Sequence, residues 1–181
     1  MLTGHSILQD ERLKLGYCPT MNDDAVLIEA MNPEVELIEY RSASEVLAHL
    51  NSKDIDFALI GRKAKTDELD NCFERMLKSG YTLIAPSKQF IYYNDLIKLK
   101  VSTAIDRNIA EKIYPELDLE FLESEDILSG EKNVILISWD DYEDSMELLI
   151  PVNPDGSKIK EFRTPILYSA NQDLLDGVRY G

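Results

Sequence analysis

Leu13-Lys-Leu-Gly-Tyr17, Val35-Glu-Leu-Ile-Glu39 and Asp56-Phe-Ala-Leu-Ile60, with what lies between them, decide how this chain is read. The first run alternates apolar and other side chains as a short strand does, Pro19 to Asn22 breaks it, and Ala25 to Met31 follows as an apolar helical stretch. Val35 to Glu39 is the next strand. Ser42 then precedes Glu45 by three residues, the capping-box spacing that satisfies free amides at a helix start, and Val46, Leu47 and Leu50 give that helix an apolar face. Asp56 to Ile60 is short, apolar and closed by Gly61, which suits a strand buried on both faces of a parallel sheet. Two consecutive βαβ units are therefore expected.

Working outward, Thr66 is a candidate N-cap, and Leu69, Cys72, Phe73, Met76 and Leu77 fit the stripe of an amphipathic helix ended by Gly80. Tyr81 to Ala85 and Gln89 to Tyr93 are extended segments around Pro86, and Asn94-Asp95 marks a turn. The strand, helix, strand order then repeats. Lys98 to Ser102 is a strand, and Ile105, Ile109, Ala110 and Ile113 share a helix face closed by Pro115. Leu117 to Phe121 is a strand, Glu123 to Leu128 a short helix broken by Gly130, and Asn133 to Ser138 the most apolar strand of the chain. Glu147 to Val152, the turn Asn153-Pro-Asp-Gly156 and Lys158 to Arg163 read as a hairpin. Pro165 to Ser169 and a helix from Asn171 complete the pattern.

The fold class expected is α/β, with two small lobes, each a mostly parallel sheet flanked by helices. Lobe 1 takes residues 1–88 and 146–181, and lobe 2 takes 89–145. The chain crosses between them near Pro86 to Asp95 and near Glu143 to Leu149, two crossings that permit hinge bending.

Length and charge limit the function. The 181 residues suit one ordinary domain or two small lobes, and 44% hydrophobic content supports a core. No run approaches the roughly 20 apolar residues of a membrane span. Nineteen bases against 34 acids give a net charge of −15, so nucleic acid and anionic membranes are not expected partners. Residues 111–147 hold 13 of the acids with only Lys112 and Lys132, which is either a solvated face or a surface for a cation or basic partner. Met1 to Gly16 lacks the apolar run and cleavage site of a secretory leader. Cys18 and Cys72 show no metal or redox spacing, so a cytoplasmic protein with two reduced thiols is expected, although spacing alone leaves a disulfide open.

Leu13-Lys-Leu-Gly-Tyr17, Val35-Glu-Leu-Ile-Glu39, Ser42-Ala-Ser-Glu-Val46 and Asp54-Ile-Asp-Phe-Ala-Leu-Ile-Gly61 together resemble the opening of the type 2 periplasmic-binding-protein fold, here in shortened form. Tyr81-Thr-Leu-Ile-Ala85 and Asn94-Asp-Leu96 resemble its crossing into the second lobe. The resemblance implies a solute-binding protein that closes on a small polar or anionic metabolite in an inter-lobe cleft. The alternative it implies is a cytoplasmic enzyme on the same scaffold, resembling the chorismate dehydratase of the futalosine route to menaquinone. The residues do not decide between binding and catalysis.

In an open α/β sheet, ligands sit beyond the carboxyl ends of parallel strands. That rule selects Tyr17 and Thr20 after the first strand, Ser42 and Ser44 after the second, and Gly61 and Arg62 after the third. In lobe 2 it selects Ser102, Thr103, Trp139 and Asp140. Arg62 would pair bidentately with a carboxylate or phosphate, or else with surface acids. Ser42, Thr66 and Thr103 serve equally as helix caps. Trp139 and Tyr142 beside Asp140 and Asp141 form either an aromatic wall for an amine or part of the core. The acids from Asp140 to Glu147 lack EF-hand spacing, so no metal is assigned. No cofactor is called for, and no catalytic residue is assigned. The sequence shows no nucleophile elbow, phosphate loop or His-Glu-x-x-His, and its histidines are His5 and His49. Cys18, placed in the loop after the first strand, is the one candidate nucleophile. Oligomeric state is not legible.

Overall fold

A computed structural model describes residues 12–86, 90–127 and 134–180 of the chain. His5, Gln89, Gly130 and Asn133, which figure in the sequence reading, lie outside the described residues. The described chain divides into two units, 12–78 with 165–180 and 79–164.

In unit 1, β1 (Leu13–Tyr17) and β2 (Val35–Glu39) pair in parallel, joined by α1 (Asn22–Met31). The second crossover is α2 (Ala43–Asn51), leading to β3 (Phe57–Ile60), parallel to β1 on its other side. The Ser42 hydroxyl accepts from the Glu45 amide at 3.2 Å, so the cap read from the sequence forms, and Val46, Leu47 and Leu50 are buried beneath it. All four β3 residues are buried, as expected for a central strand covered on both faces.

The chain departs from expectation next. Thr66–Glu68 is a single 3₁₀ turn, and Phe73–Met76 is β4, an edge strand, where a helix from Thr66 to Leu77 was expected. The physical reason is long-range pairing. β11 (Ile166–Ser169) runs antiparallel to both β3 and β4 and supplies ladder bonds that a helix would forgo. Leu69, Cys72, Met76 and Leu77 still pack on the unit's core, so the apolar stripe was real and its backbone assignment was not. The last helix, α6 (Gln172–Gly177), starts where expected and is capped by Asn171, and Arg75 donates to the Leu175 and Val178 carbonyls at 2.8 and 2.7 Å. The sheet order is β2-β1-β3-β11-β4.

Unit 2 repeats this order. β7 (Lys100–Thr103) lies parallel to β8 (Asp118–Phe121) and to β9 (Val134–Ser138). β5 (Tyr81–Ile84) runs antiparallel to β9, and β10 (Leu148–Val152) runs antiparallel to β5. β6 (Phe90–Tyr92) extends the sheet in parallel with β10, giving β6-β10-β5-β9-β7-β8. In both units three parallel strands in the order second, first, third are followed by one antiparallel strand from a distant segment and then by further strands in the parallel direction. The α/β class with mostly parallel sheets is what the structure has.

The unit boundaries fall elsewhere than the sequence suggested. Tyr81–Ile84 and Leu148–Val152, read as lobe 1, hydrogen-bond in the second sheet, so the crossings lie at 78–79 and 164–165. The helices α3 (Tyr93–Leu96), α4 (Arg107–Ile113) and α5 (Ser124–Ile127) belong to this unit, and α4 is capped by Asp106 accepting from Asn108 and Ile109 amides at 2.9 and 3.3 Å. Of the face expected to be buried, Ala110 is buried as read, while Ile109 is 44% exposed. The expected hairpin keeps its turn, with Gly156 at φ +87° and its amide on the Asn153 carbonyl at 2.8 Å. Its second arm is only the bridge from Val152 to Lys158, followed by a 3₁₀ turn at Lys160–Phe162.

Gly80 carries a packing constraint that yields a prediction. A Cβ there would collide with the Thr164 hydroxyl and lie 2.6 and 2.7 Å from its Cγ2 and Cβ, and Thr164 is 3% exposed. Gly80→Ala is expected to cost about 1–3 kcal/mol, the usual range for overpacking. A loss below about 0.5 kcal/mol in urea denaturation would show that Thr164 gives way and that the collision carries no cost.

Candidate functional site

The carboxyl ends of β1, β2 and β3 in unit 1 are largely self-satisfied. Tyr17 is buried, and its hydroxyl is pushed above its ordinary value first by that burial and then by Glu39. Thr20 Oγ1 lies 3.3 Å from the buried Cys18 Sγ. Ser42 is used as the α2 cap, while Ser44 is exposed on the first turn of that helix. Gly61 is half-buried at the end of β3.

Arg62, the expected anion anchor, is already engaged. Its guanidinium donates to both Glu68 carboxylate oxygens at 2.8 and 2.9 Å and to the Lys63 carbonyl at 3.0 Å. Lys63 pairs with Glu74 at 3.2 Å. The Tyr168 hydroxyl, buried and raised well above the usual tyrosine value by that burial, accepts from the Ala64 amide and donates to Glu74. The bidentate geometry that made Arg62 attractive is thus spent within the fold.

That pairing has a measurable consequence. Hydrogen bonding from Arg62 holds the Glu68 carboxyl below its ordinary value of 4.5, against the opposing effect of burial. A depressed carboxyl stabilises the fold above its unfolded value and loses that contribution as pH falls through the folded value. The wild type should therefore lose more stability than Glu68→Gln between neutral pH and the range below 4.5, read as the difference in urea midpoints. Equal acid sensitivity in the two proteins would dismiss the linkage.

In unit 2 the strand ends frame a concavity. Ala104 and Ile105 follow β7, Ser124 and Ile127 come from α5, Leu136, Ile137 and Ser138 end β9, and Asp141 and Met146 come from the segment beyond it. Its volume is about 470 Å³, within the range of small-molecule sites. Thr103 shapes it from behind. Fully buried, its hydroxyl donates to the Leu136 carbonyl at 2.9 Å and accepts from the Ile105 amide at 3.2 Å, fixing the turn out of β7. The Ser138 hydroxyl caps the following 3₁₀ turn by accepting from the Asp140 amide at 3.1 Å. Trp139, 1% exposed, meets Tyr142 edge to face with centroids 5.3 Å apart. The loop then closes with the Met146 amide on the Glu143 carbonyl at 2.9 Å, which presents Met146.

Of the residues expected here, Ser102 and Thr103 are buried in β7, Trp139 is core, and Asp140 is exposed beside the lining residue Asp141. The residues that line the concavity were mostly not singled out. Ser124, Ile127 and Met146 carry no motif, and only the order of elements after β8 and β9 would have pointed to them.

A second groove, along edge strand β6, is lined by Phe90, Tyr92 and Leu99 together with the 154–156 turn. It lies beside a strand at the sheet margin, with no convergence of parallel strand ends. Among the described residues no three His, Cys, Asp or Glu side chains are grouped to hold a metal. His49, the one histidine among the described residues, stacks on Tyr40 at 4.2 Å with its Nδ1 2.9 Å from Asp54.

No protein family matches the chain, and no curated protein does. Solved structures do, and those it is similar to are type 2 periplasmic-binding-protein-like folds. An ABC-type phosphate transport receptor from Vibrio cholerae is 10% identical over 91% of both chains, with a TM-score of 0.37. A periplasmic VFT2 domain of BvgS from Bordetella pertussis is 13% identical, covering 97% of this chain and 88% of that one, with a TM-score of 0.38. The substrate-binding protein of an amino acid ABC transporter is 16% identical over 91% and 88%, with a TM-score of 0.36. The fold assignment stands on the strand order and register of the two sheets.

Proposed function

We propose that the chain is a small-molecule-binding protein and that its solute sits at the carboxyl edge of the second sheet. The observation that carries this reading is the concavity at the ends of β7 and β9, where an apolar floor of Ile137 and Ile127 meets the polar groups of Ser124, Ser138 and Asp141. Strand ends of this kind place side chains from several segments around one volume, and a mixed lining orients a solute while burying its apolar part.

A thermal-shift screen over amino acids, amines, sugars, carboxylates and phosphates tests it. A solute at 100 times its Kd stabilises by about 2.7 kcal/mol. Ala104 is exposed and lines the concavity, so Ala104→Trp should fill the volume without disturbing the core and abolish the shift of any hit. A hit whose shift survives Ala104→Trp binds elsewhere and removes this site from the reading.

A further inference from the structure

We infer that the solute of this concavity is an aliphatic amine, a cation with an apolar body. The inference rests on the binding reading above and follows from which hydrogen-bonding groups the fold leaves over. At the end of β7 the Ile105 amide is consumed by Thr103 Oγ1, and beyond β9 the Asp140 amide is consumed by Ser138 Oγ. These are backbone donors of the kind an anionic solute would need at strand ends, and both are spent internally. What remains is acceptor-rich. Among the described residues nothing pairs with the Asp141 carboxylate and no Lys, Arg or His lines the concavity.

The surroundings have the same sign. Residues 104–106, 123–127 and 136–147, which supply the lining, hold nine acids and no base. A carboxylate or phosphate entering there meets like charge with only the Ser124 and Ser138 hydroxyls, among the described lining side chains, to donate to it, whereas an ammonium brings its own donors to the one charged lining group, an acceptor. The floor of Ile127 and Ile137 takes a hydrocarbon chain, beside the Met146 side chain, whose sulfur accepts from the Glu143 amide at 3.5 Å.

The test uses the full chain and a matched set of probes: hexylamine, hexanoate and hexan-1-ol, each titrated while the methyl signals of Met146, Ile127 and Ile137 are followed by NMR. Hexylamine is expected to move those methyls and to bind at least about fivefold more tightly than hexanoate, the factor one exposed ion pair provides in water. Asp141→Asn should weaken hexylamine by about the same factor and leave hexan-1-ol unchanged. Asp140→Asn, with the same change of charge on a residue outside the lining, should do less. Raising salt to about 0.5 M should weaken the amine alone.

Hexanoate or hexan-1-ol moving the methyls more strongly than hexylamine, or an amine affinity indifferent to Asp141→Asn, would overturn the amine assignment while leaving a solute site in place. Methyls that respond to none of the three probes, nor to any hit of the wider screen, would overturn the binding reading and this inference together.

Discussion

Phe57→Ala is expected to lower the stability of unit 1 by about 3–5 kcal/mol, the range for removing a buried aromatic ring from a close-packed core. Phe57 opens β3 with no exposed surface, between β1 on one side and β11 on the other. Leu15, its register partner in β1, is equally buried, so no flexible surface group can fall into the space. Protein domains hold only about 5–15 kcal/mol in total, so this single change should bring the unit close to unfolding at 37 °C. Trp139, the single tryptophan, belongs to unit 2, so its fluorescence is the wrong reporter. Hydrogen exchange at the Leu15 and Leu59 amides follows the affected sheet directly. Val26→Ala, at a residue 49% exposed on α1, is the control and should change exchange by less than about 0.5 kcal/mol. A loss under about 1.5 kcal/mol for Phe57→Ala would mean that the β3 core collapses around the gap.

The same strand shows why part of this fold was legible. Phe57 to Ile60 is an unbroken apolar run after an Ile-Asp pair, and only a strand covered on both faces uses such a run in so short a length. Ser42 with Glu45, and Asn171 before α6, are local signals whose partners lie within three residues, so sequence carries them completely. Phe73 to Met76 depends instead on β11, about 90 residues away, and nothing local reveals that pairing. The stripe of Leu69, Cys72, Met76 and Leu77 met the helical period because an irregular turn and a short strand can bury the same side chains.

The candidate site divides along the same line. The rule about strand ends led to β7 and β9, and the concavity lies there. It did not say which way each hydroxyl would turn. Thr103 and Ser138 are drawn back onto the backbone, where each satisfies an amide that would otherwise be orphaned, and Arg62 is held by Glu68 six residues away. Short polar side chains at strand ends choose between the chain's own amides and a ligand, and here the chain's own amides win.

Trp139 supplies the second large effect, and its direction depends on what replaces it. The residue is 1% exposed, and its indole Nε1 is buried with no hydrogen-bond partner among the described residues. Trp139→Ala removes the ring that meets Tyr142 and should cost about 3–5 kcal/mol, with loss of the loop that carries Asp141 and Met146. Trp139→Phe keeps most of the apolar contact and deletes an unsatisfied donor. A buried unpaired donor costs about 1–3 kcal/mol, enough to offset the volume lost on going to phenylalanine. The Phe variant should therefore stay within about 1 kcal/mol of wild type in urea denaturation followed by circular dichroism, far above the Ala variant. A Trp139→Phe loss approaching that of Trp139→Ala would show that the indole nitrogen is paired in solution, by water or by solute. That outcome would bring Trp139 back among the residues that hold a ligand.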